Sequence, residues 1–335
     1  MSERPGWWIY HGTGIPHDGI DRLPEPPPWR LFDEHATPVA PGVEETPTDV
    51  RRGRNYRPDR ETVELVNAAI YLRRPLLVTG RPGTGKSTLA SAVAHELQLG
   101  RPLRWNITSR VSVKDGLYQY DPLARLYQAK QDGGTTGDGA TEDVGRFIRL
   151  GPLGTALLPA DRPRVLLIDE IDKGDLDLPN DLLTVFEDGS YEIPELVRQA
   201  DRSADARVMT ADSTIRVPVH HGQVRCRTFP IIVMTSNGER EFPPAFLRRC
   251  IQATLPEPDA DKLTRIVDAH LAELAPSSGE LIRAFLARRD EGGLATDQLL
   301  NAIYLTDQAG RSAGVDRDQL AEKVMAHLAH RPDDD

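Results

Sequence analysis

An eight-residue run, GRPGTGKS, begins at Gly80 and matches the pattern GxxxxGK[ST]. A short apolar run at residues 75–79 precedes it, and a helical pattern from Lys86 follows it. In such a loop, glycines let successive backbone N–H groups turn toward phosphate oxygens, and the N-terminus of the following helix adds partial positive charge. The run therefore predicts a strand, a phosphate-binding loop and a helix, in that order.

Two side chains of this loop are suited to the rest of a nucleotide site. Lys86 is expected to reach the β- and γ-phosphates of ATP, and the Ser87 hydroxyl is expected to ligate Mg²⁺. ATP and Mg²⁺ are therefore the predicted cofactors. The predicted nucleotide-binding residues are Arg81, Pro82, Gly83, Thr84, Gly85, Lys86, Ser87, Thr88 and Asp169.

Two adjacent carboxylates, Asp169 and Glu170, follow the apolar run VLLI of a predicted strand at residues 164–168, which comes after a strand predicted around residues 103–107. Successive side chains of an extended chain point to opposite sides, so the two acids can do different work. Asp169 is expected to hold Mg²⁺ together with Ser87, and Glu170 is expected to accept a proton from the attacking water or to orient it. A solvated acidic turn is the alternative interpretation.

A third apolar run, at residues 230–235, predicts another buried strand, and Asn237 follows it. If this strand lies beside the two that carry the loop and the acids, the Asn237 side chain can hydrogen-bond both the γ-phosphate and the attacking water. A cap or turn residue is the alternative, because asparagine commonly takes those positions.

Two consecutive arginines, Arg248 and Arg249, precede the last predicted strand, at about residues 250–255. Two such side chains do not both turn inward easily, so one is expected to face a neighbouring subunit and meet its γ-phosphate as an arginine finger. A head-to-tail contact of this kind, repeated by rotation, closes a ring. A surface salt bridge is the alternative.

Composition excludes several classes of protein. The 335 residues are 39% hydrophobic and 27% charged, with a mean hydropathy of −0.44, as in globular proteins. The apolar runs are far shorter than the ~18 residues of a membrane span. The formal net charge of −10 disfavours general binding to nucleic acid. Two cysteines, Cys226 and Cys250, which we expect to be buried, and an N-terminus without an apolar leader predict a cytoplasmic protein.

The predicted elements divide the chain into three parts. The strand patterns lack polar alternation, as strands covered on both faces do, so we predict an α/β core with a mostly parallel sheet. Residues 1–55 are predicted to form a Pro/Trp-rich N-terminal arm, residues 56–256 the nucleotide-binding core, and residues 257–335 a helical domain. The arm either packs across its own domain or docks onto a neighbour or partner.

Two local patterns lie within this organisation. Apolar residues at helical spacing predict a helix over residues 60–73, and Asp59 is placed to cap its start. The run DGGTTGDGATEDVG at residues 132–145 has almost no apolar content, and it predicts a surface loop.

The motifs in this order resemble the AAA+ ATPases and, within them, the MoxR-like group. The resemblance extends from residue 56 to the C-terminus, with GRPGTGKST as Walker A, VLLIDEIDK as Walker B, TSN as sensor 1 and FPPAFLRRC as the arginine-finger segment. It implies a five-stranded parallel sheet flanked by helices, a small helical lid, and a homo-oligomeric ring, expected to be a hexamer. It also implies a protein client and a von Willebrand factor A-domain partner. Arg249 matches the finger best, and Arg248 is the reserve.

Further stretches carry the resemblance to the MoxR-like group. Residues 114–126, together with GPLG at residues 151–154, resemble an insert of that group, and residues 191–230 resemble its pre-sensor hairpin. The first stretch predicts a tyrosine-rich loop. Its Tyr118 and Tyr120 either line a central pore or pack in the core.

The resemblance also bears on the two ends of the nucleotide. It places the adenine near Tyr56 and Arg57. At the γ-phosphate, AAA+ lids usually present a sensor 2 arginine or lysine, but the matching residues 292–305 contain no basic side chain. The basic residues that could substitute are Arg288, Arg289 and Arg311.

Three functions are compatible with these motifs. The first is an ATPase that remodels a protein client, which the acidic pair, Asn237 and Arg249 favour. The second is an ATP-gated scaffold with slow turnover that recruits partners through the N-terminal arm, which the missing sensor 2 favours. The third is a DNA motor or loader, which the negative net charge disfavours.

Overall fold

The structure is a computed structural model, and it describes residues 5–39, 43–131, 144–271, 278–289 and 296–310. The strands, in chain order, are β1 (Leu76–Thr79), β2 (Leu103–Asn106), β3 (Tyr118–Tyr120), β4 (Ile148–Leu150), β5 (Val165–Asp169), β6 (Ser190–Glu192), β7 (Asp205–Met209), β8 (Arg216–His220), β9 (Gln223–Arg225), β10 (Ile231–Ser236) and β11 (Ile251–Thr254). The α-helices are α1 (Pro47–Asn55), α2 (Arg60–Leu72), α3 (Lys86–Glu96), α4 (Val113–Leu117), α5 (Pro122–Gln131), α6 (Pro152–Ala156), α7 (Leu178–Asp188), α8 (Pro194–Val197), α9 (Pro244–Leu247), α10 (Ala260–Leu271), α11 (Gly279–Arg289) and α12 (Thr296–Gly310).

Five strands form a parallel sheet in the order β11-β1-β10-β5-β2. Leu76 aligns with Val233 of β10 and with Ile251 of β11, so the carboxyl ends of these strands meet at one edge. Because alternate side chains of a strand face opposite sides, Leu76 and Val78 pack with α2 and α3, whereas Leu77 packs with α6 and α7. Helices therefore cover both faces, which confirms the predicted α/β class with a five-stranded parallel sheet.

A second sheet contains short strands in the order β3-β4-β7-β8-β9-β6. Its β7–β8 hairpin is antiparallel, and it lies within the stretch for which the sequence predicts a hairpin. The predicted tyrosine-rich loop is wrong in one respect, because Tyr118 and Tyr120 lie on β3. Tyr118 is buried, and its hydroxyl donates to Glu195 at 2.9 Å. Of the two alternatives for Tyr118, the structure shows packing in the core.

The N-terminal segment is part of the core. Residues 8–10 are buried against α2 and α3. The buried carboxylate of Glu96, at the end of α3, accepts hydrogen bonds from four consecutive backbone N–H groups of residues 11–14, at 2.5 to 3.0 Å. Residues 8–14 of the predicted arm thus pack across their own domain, which is the first of the two alternatives. The domain boundary between residues 55 and 56 stays a prediction.

Helix α1 lies in the predicted arm, where the sequence pattern indicates no helix. The Thr46 hydroxyl accepts from the Asp49 N–H at 3.2 Å, and Pro47 takes the first helical position, so the start of this helix is well capped. The next helix is confirmed as predicted, since α2 begins at Arg60 and Asp59 Oδ1 accepts from the Thr62 N–H at 2.7 Å.

Helices α10, α11 and α12 pack on one another through their own hydrophobic cluster, which includes Leu263, Phe285 and Leu299. No helix in the described ranges combines the length and the apolar character that a bilayer crossing requires. The predicted loop at residues 132–145 lies outside the described residues except for its last two, which begin a 3₁₀ helix (Val144–Phe147). Arg311 and the side chains of Arg288 and Arg289 also lie outside them.

Candidate nucleotide-binding site

The loop between β1 and α3 has the backbone conformation that phosphate binding needs. Gly80, Gly83 and Gly85 have φ angles of 150°, 78° and 87°, which residues other than glycine rarely adopt. A Cβ at Gly80 would lie 2.8 Å from the carbonyl oxygen of Leu255, and a Cβ at Gly85 would lie 3.1 Å from the Tyr56 ring. Both the backbone conformation and the close packing therefore require glycine at these two positions.

Lys86 is buried inside this loop. Its Nζ donates to the carbonyl oxygens of Gly80, at 2.6 Å, and of Arg81, at 2.9 Å. Burial lowers the pKa of Lys86, and the nearby carboxylates of Asp172 and Asp169 act in the opposite direction. The amine is thus held where it can meet phosphate oxygens once they replace the loop carbonyls.

The other predicted residues of the loop make local contacts. Thr84 Oγ1 donates to the carbonyl oxygen of Arg81 at 2.9 Å, and the Thr88 N–H donates to that of Gly85 at 3.1 Å. Pro82 is exposed at the tip of the loop. These contacts keep the loop folded and leave its outer side open.

The phosphate loop and the acidic strand meet at a single atom. Asp169 Oδ1 accepts from Ser87 Oγ at 2.7 Å and from Thr235 Oγ1 at 2.6 Å. The three side chains come from α3, β5 and β10: the two strands are neighbours in the parallel sheet, and α3 packs on both. A hydroxyl and a carboxylate in contact are oxygen donors of the kind that Mg²⁺ takes, so the residues present fit this ion.

Glu170 departs from the extended geometry that the sequence predicts. Strand β5 ends at Asp169, and Glu170 has a left-handed φ of 59°. Such a conformation costs a residue other than glycine about 1–3 kcal/mol and is often found at functional sites. The Glu170 N–H donates to Thr235 Oγ1 at 2.9 Å, and its carboxylate accepts from Lys173 Nζ at 2.8 Å. This hydrogen bond raises the pKa of Lys173.

A cleft of about 590 Å³ opens beside Glu170. Its size is in the range of small-molecule sites, and its walls are mostly polar. It is lined by Ile107, Thr108, Ser109, Glu170, Asp172, Lys173, Glu239 and Arg240.

Asp172 is a functional candidate that the sequence patterns did not identify. Its buried Oδ2 accepts from Ser236 Oγ at 2.8 Å, from the Asn237 N–H at 2.9 Å and from the Glu239 N–H at 3.2 Å. It therefore fixes the chain at the end of β10, the strand that lies next to β5 and that Asn237 follows. The available signal was the third acid of the run DEID.

A family model of the AAA domain, dynein-related subfamily, matches residues 75–250, which is more than half of the chain. The chain belongs to the dynein-related AAA subfamily. The resemblance to AAA+ ATPases is thereby confirmed at the level of the family, whose members generally bind ATP with Mg²⁺ and generally form oligomeric rings. No protein of curated function matches the chain in sequence.

In this AAA chain, Arg248 and Arg249 lie at the edge of the sheet opposite the phosphate loop. Ile251 of β11 aligns with Leu76, the first residue of β1, so about four residues of strand, or roughly 13 Å, separate the arginines from the loop. Arg249 Nε donates to the Glu187 carboxylate of α7. Arg249 therefore makes a surface ion pair within one copy, and neither arginine is placed to reach the nucleotide site of its own subunit.

The α1–α2 junction and the start of the helical region enclose the other side of the AAA nucleotide site. Tyr56, which the resemblance to AAA+ ATPases implies near the adenine, lies against Gly85, and burial raises its pKa. Arg81 of the loop pairs with Glu257 at 2.8 Å, and Lys262 of α10 pairs with Asp59 at 3.5 Å. The start of the helical region is thus in contact with the phosphate loop and with the start of α2.

Proposed function

We propose that this AAA chain hydrolyses ATP with Mg²⁺ in a site completed by a neighbouring subunit, and that a ring of such subunits remodels a protein client. The observation that carries the proposal is the contact of Ser87 Oγ with Asp169 Oδ1 at 2.7 Å. It joins the hydroxyl that follows the phosphate loop to the carboxylate that ends β5. Both groups are then in one place to hold a metal ion.

In this proposal, the residues around the contact each take one role in ATP hydrolysis. The loop N–H groups and Lys86 bind the phosphates. Ser87 and Asp169 hold Mg²⁺, which when bound neutralises charge that develops on the phosphate oxygens. Glu170 accepts a proton from the attacking water or orients it, and Asn237 hydrogen-bonds that water and the γ-phosphate.

The position of the arginines supports a ring. Arg249, with Arg248 as the reserve, lies at the edge opposite its own phosphate loop, so a finger at this position acts on the site of a neighbour. A contact between two different faces, repeated by rotation, closes a ring. We expect this ring to be a hexamer.

The MoxR-like role rests on two features. Residues 114–126, which resemble the insert, fall in α4, β3 and α5, and residues 151–154 fall at the start of α6. The β7–β8 hairpin falls within residues 191–230, which resemble the pre-sensor hairpin. A protein client and a von Willebrand factor A-domain partner are proposed from this likeness.

The test is the ATPase activity per subunit as a function of protein concentration. Activity should rise with concentration, and Glu170→Gln and Arg249→Ala should each lower it by about 100-fold or more while ATP still binds. Arg225→Ala, at an exposed arginine of β9, is the matched control and should keep full activity.

Mixing the two inactive variants tests the neighbour's role directly. A mixed ring contains some sites that have both Glu170 and a neighbour's Arg249, so part of the activity should return. Activity that does not depend on concentration and survives Arg249→Ala would contradict a finger supplied by a neighbour. Full activity in Glu170→Gln would contradict the assigned base.

A second candidate function is an ATP-gated scaffold with slow turnover that recruits partners through the N-terminal segment. The observation that favours it is the hydrogen bond from Lys173 to Glu170 at 2.8 Å, which occupies the carboxylate that hydrolysis would use. Lys173→Ala separates the two candidates. Turnover should rise several-fold in a scaffold that this pair restrains, and it should change little in an ATPase whose pair opens on ATP binding.

A further inference from the structure

Residues 24–32, which we call the strap, are anchored to the body of the protein through Arg30. Its Nη2 donates to the carbonyl oxygen of Arg73 at 2.6 Å, and its Nη1 donates to that of Glu187 at 3.4 Å. The guanidinium also lies 4.8 Å from the centre of the Phe229 ring. Arg30 therefore points inward and fixes the strap against α7 and the α2–β1 turn.

Two large apolar side chains of the strap point the other way. The Arg30 N–H donates to the Pro27 carbonyl oxygen at 2.7 Å, and the resulting turn places Trp29 at its outer corner. Trp29 is 72% exposed and Leu31 is 67% exposed. Leu72, next to the Arg73 anchor, is partly exposed as well. These three side chains form what we call the strap patch.

The strap patch lies beside the arginine pair. Glu187, whose carbonyl oxygen receives Arg30, also holds Arg249 through its carboxylate. Arg74, which follows the Arg73 anchor, donates through Nη1 to the carbonyl oxygen of Arg248 at 2.9 Å. The segment that carries the strap patch is therefore linked to both arginines through Glu187 and Arg74.

We propose that the strap patch is part of the contact between neighbouring copies of this chain in the ring, with Trp29 and Leu31 as its apolar anchors. The inference rests on the proposed function in one respect, that Arg249 faces the neighbour's nucleotide. If Arg249 reaches the nucleotide site of a neighbouring subunit, the surface around Arg249 must contact that subunit. Trp29 and Leu31 are then covered in the same contact.

The chemistry of the surface fits such an interface. Tryptophan and arginine are enriched among the residues that carry most of the binding energy between proteins, and they work best at the centre of a well-packed contact. The inward anchor through Arg30 holds Trp29 in place beforehand, which reduces the entropy lost when the contact forms. A second copy is thus the occupant that the position beside the arginines favours.

The experiment measures assembly of the full chain with Mg²⁺ and ATP in the Glu170→Gln background, which is expected to hold ATP. Sedimentation velocity gives the concentration at which half the subunits are in the ring. Trp29→Ser should raise this concentration at least about tenfold, and Leu31→Ser should raise it several-fold. Leu123→Ser, at a leucine of α5 with 65% exposure, is the matched control and should not change it.

Four further readouts decide the interpretation: ATP affinity, thermal stability, the ATP turnover of Arg249→Ala and binding to other proteins. ATP affinity and thermal stability of the variants should stay as in the parent chain, because the substituted side chains of Trp29, Leu31 and Leu123 are exposed. Unchanged assembly in both strap variants, an equal loss in Leu123→Ser, or a parent chain that stays monomeric would overturn the inference. Assembly of the strap variants and ATP turnover of Arg249→Ala are measured separately. If turnover survives in Arg249→Ala while the strap variants still lose assembly, the proposed finger fails and the strap contact stands. If the strap variants lose binding to another protein while their rings stay intact, that protein is the occupant of the strap patch, and the inference is overturned.

Discussion

The two edges of the parallel sheet are held together in different ways. At the carboxyl edge, Asp169 receives hydrogen bonds from Ser87 and Thr235 at 2.7 Å and 2.6 Å. At the opposite edge, Arg249 and Glu187 form an ion pair in which the side chains are 42% and 48% exposed. An exposed pair of this kind contributes only about 0–1 kcal/mol. The carboxyl edge is thus held in one arrangement by hydrogen bonds. At the opposite edge, Arg249 can leave Glu187 for another partner at a small cost in free energy.

The largest effect is expected from a buried charge that lies away from the nucleotide, at the end of α3. Glu96→Ala removes the acceptor of four backbone N–H groups of residues 11–14, so the free energy of unfolding should fall by about 4 kcal/mol. Urea unfolding measures this. Glu96→Gln keeps one acceptor oxygen and should lose less. A change below about 1 kcal/mol in the alanine variant would mean that the N-terminal segment contributes little to the core.

A smaller effect is expected at Asp172, which organises the carboxyl edge without a proposed contact to ATP. Asp172→Ala leaves Ser236 Oγ and the N–H groups of Asn237 and Glu239 without their acceptor, so the free energy of unfolding should fall by about 2 kcal/mol. If these bonds position Asn237, kcat should fall about tenfold while KM for ATP changes little.

The conservative variant provides the control for this prediction. Asp172→Asn keeps an oxygen that can accept the same hydrogen bonds, so it should recover most of kcat. Equal losses of kcat in the alanine and asparagine variants would show that the charge of Asp172 matters and not its role as an acceptor.

The smallest effect is expected at the opposite edge. Glu187→Gln removes the charged partner of Arg249, and the free energy of unfolding should change by less than about 1 kcal/mol. Because the arginine is then released at lower cost, the protein concentration for half-maximal ATPase activity should fall by about two- to threefold. A large loss of stability would show that this edge is as tightly organised as the carboxyl edge.

The sequence patterns that predict the carboxyl edge are local. Residues 80–87 must bend through positive φ angles, and only glycine does so without strain, so the loop is visible in the sequence itself. Asp169 directly follows an apolar run, and Asn237 follows another after Thr235 and Ser236. The carboxyl ends of parallel strands meet at one edge. The meeting of Ser87 with Asp169, 82 positions apart, then follows from the topology.

The sequence did not indicate residues whose importance comes from distant contacts. In the sequence, Asp172 is not distinguished from the other acidic residues. Its role comes from its hydrogen bonds to the end of β10, which form only in the folded chain. The proline-rich start of the chain reads as an extended arm, because its composition does not reveal that Glu96 will satisfy its backbone N–H groups. The sequence predicts a loop at Tyr118, since a strand of three residues leaves almost no periodic pattern.

By itself, the sequence determined the phosphate loop, the order of the strands along the chain, the α/β class and the set of polar groups at the strand ends. Each of these depends on neighbours within a few positions, through backbone sterics and the spacing of apolar side chains. The tertiary structure decided that Glu170 pairs with Lys173, that Arg249 pairs with Glu187, and that the strap turns Trp29 outward beside the arginines. These outcomes depend on which surfaces pack together, because burial and charge pairing are set only once the chain has folded.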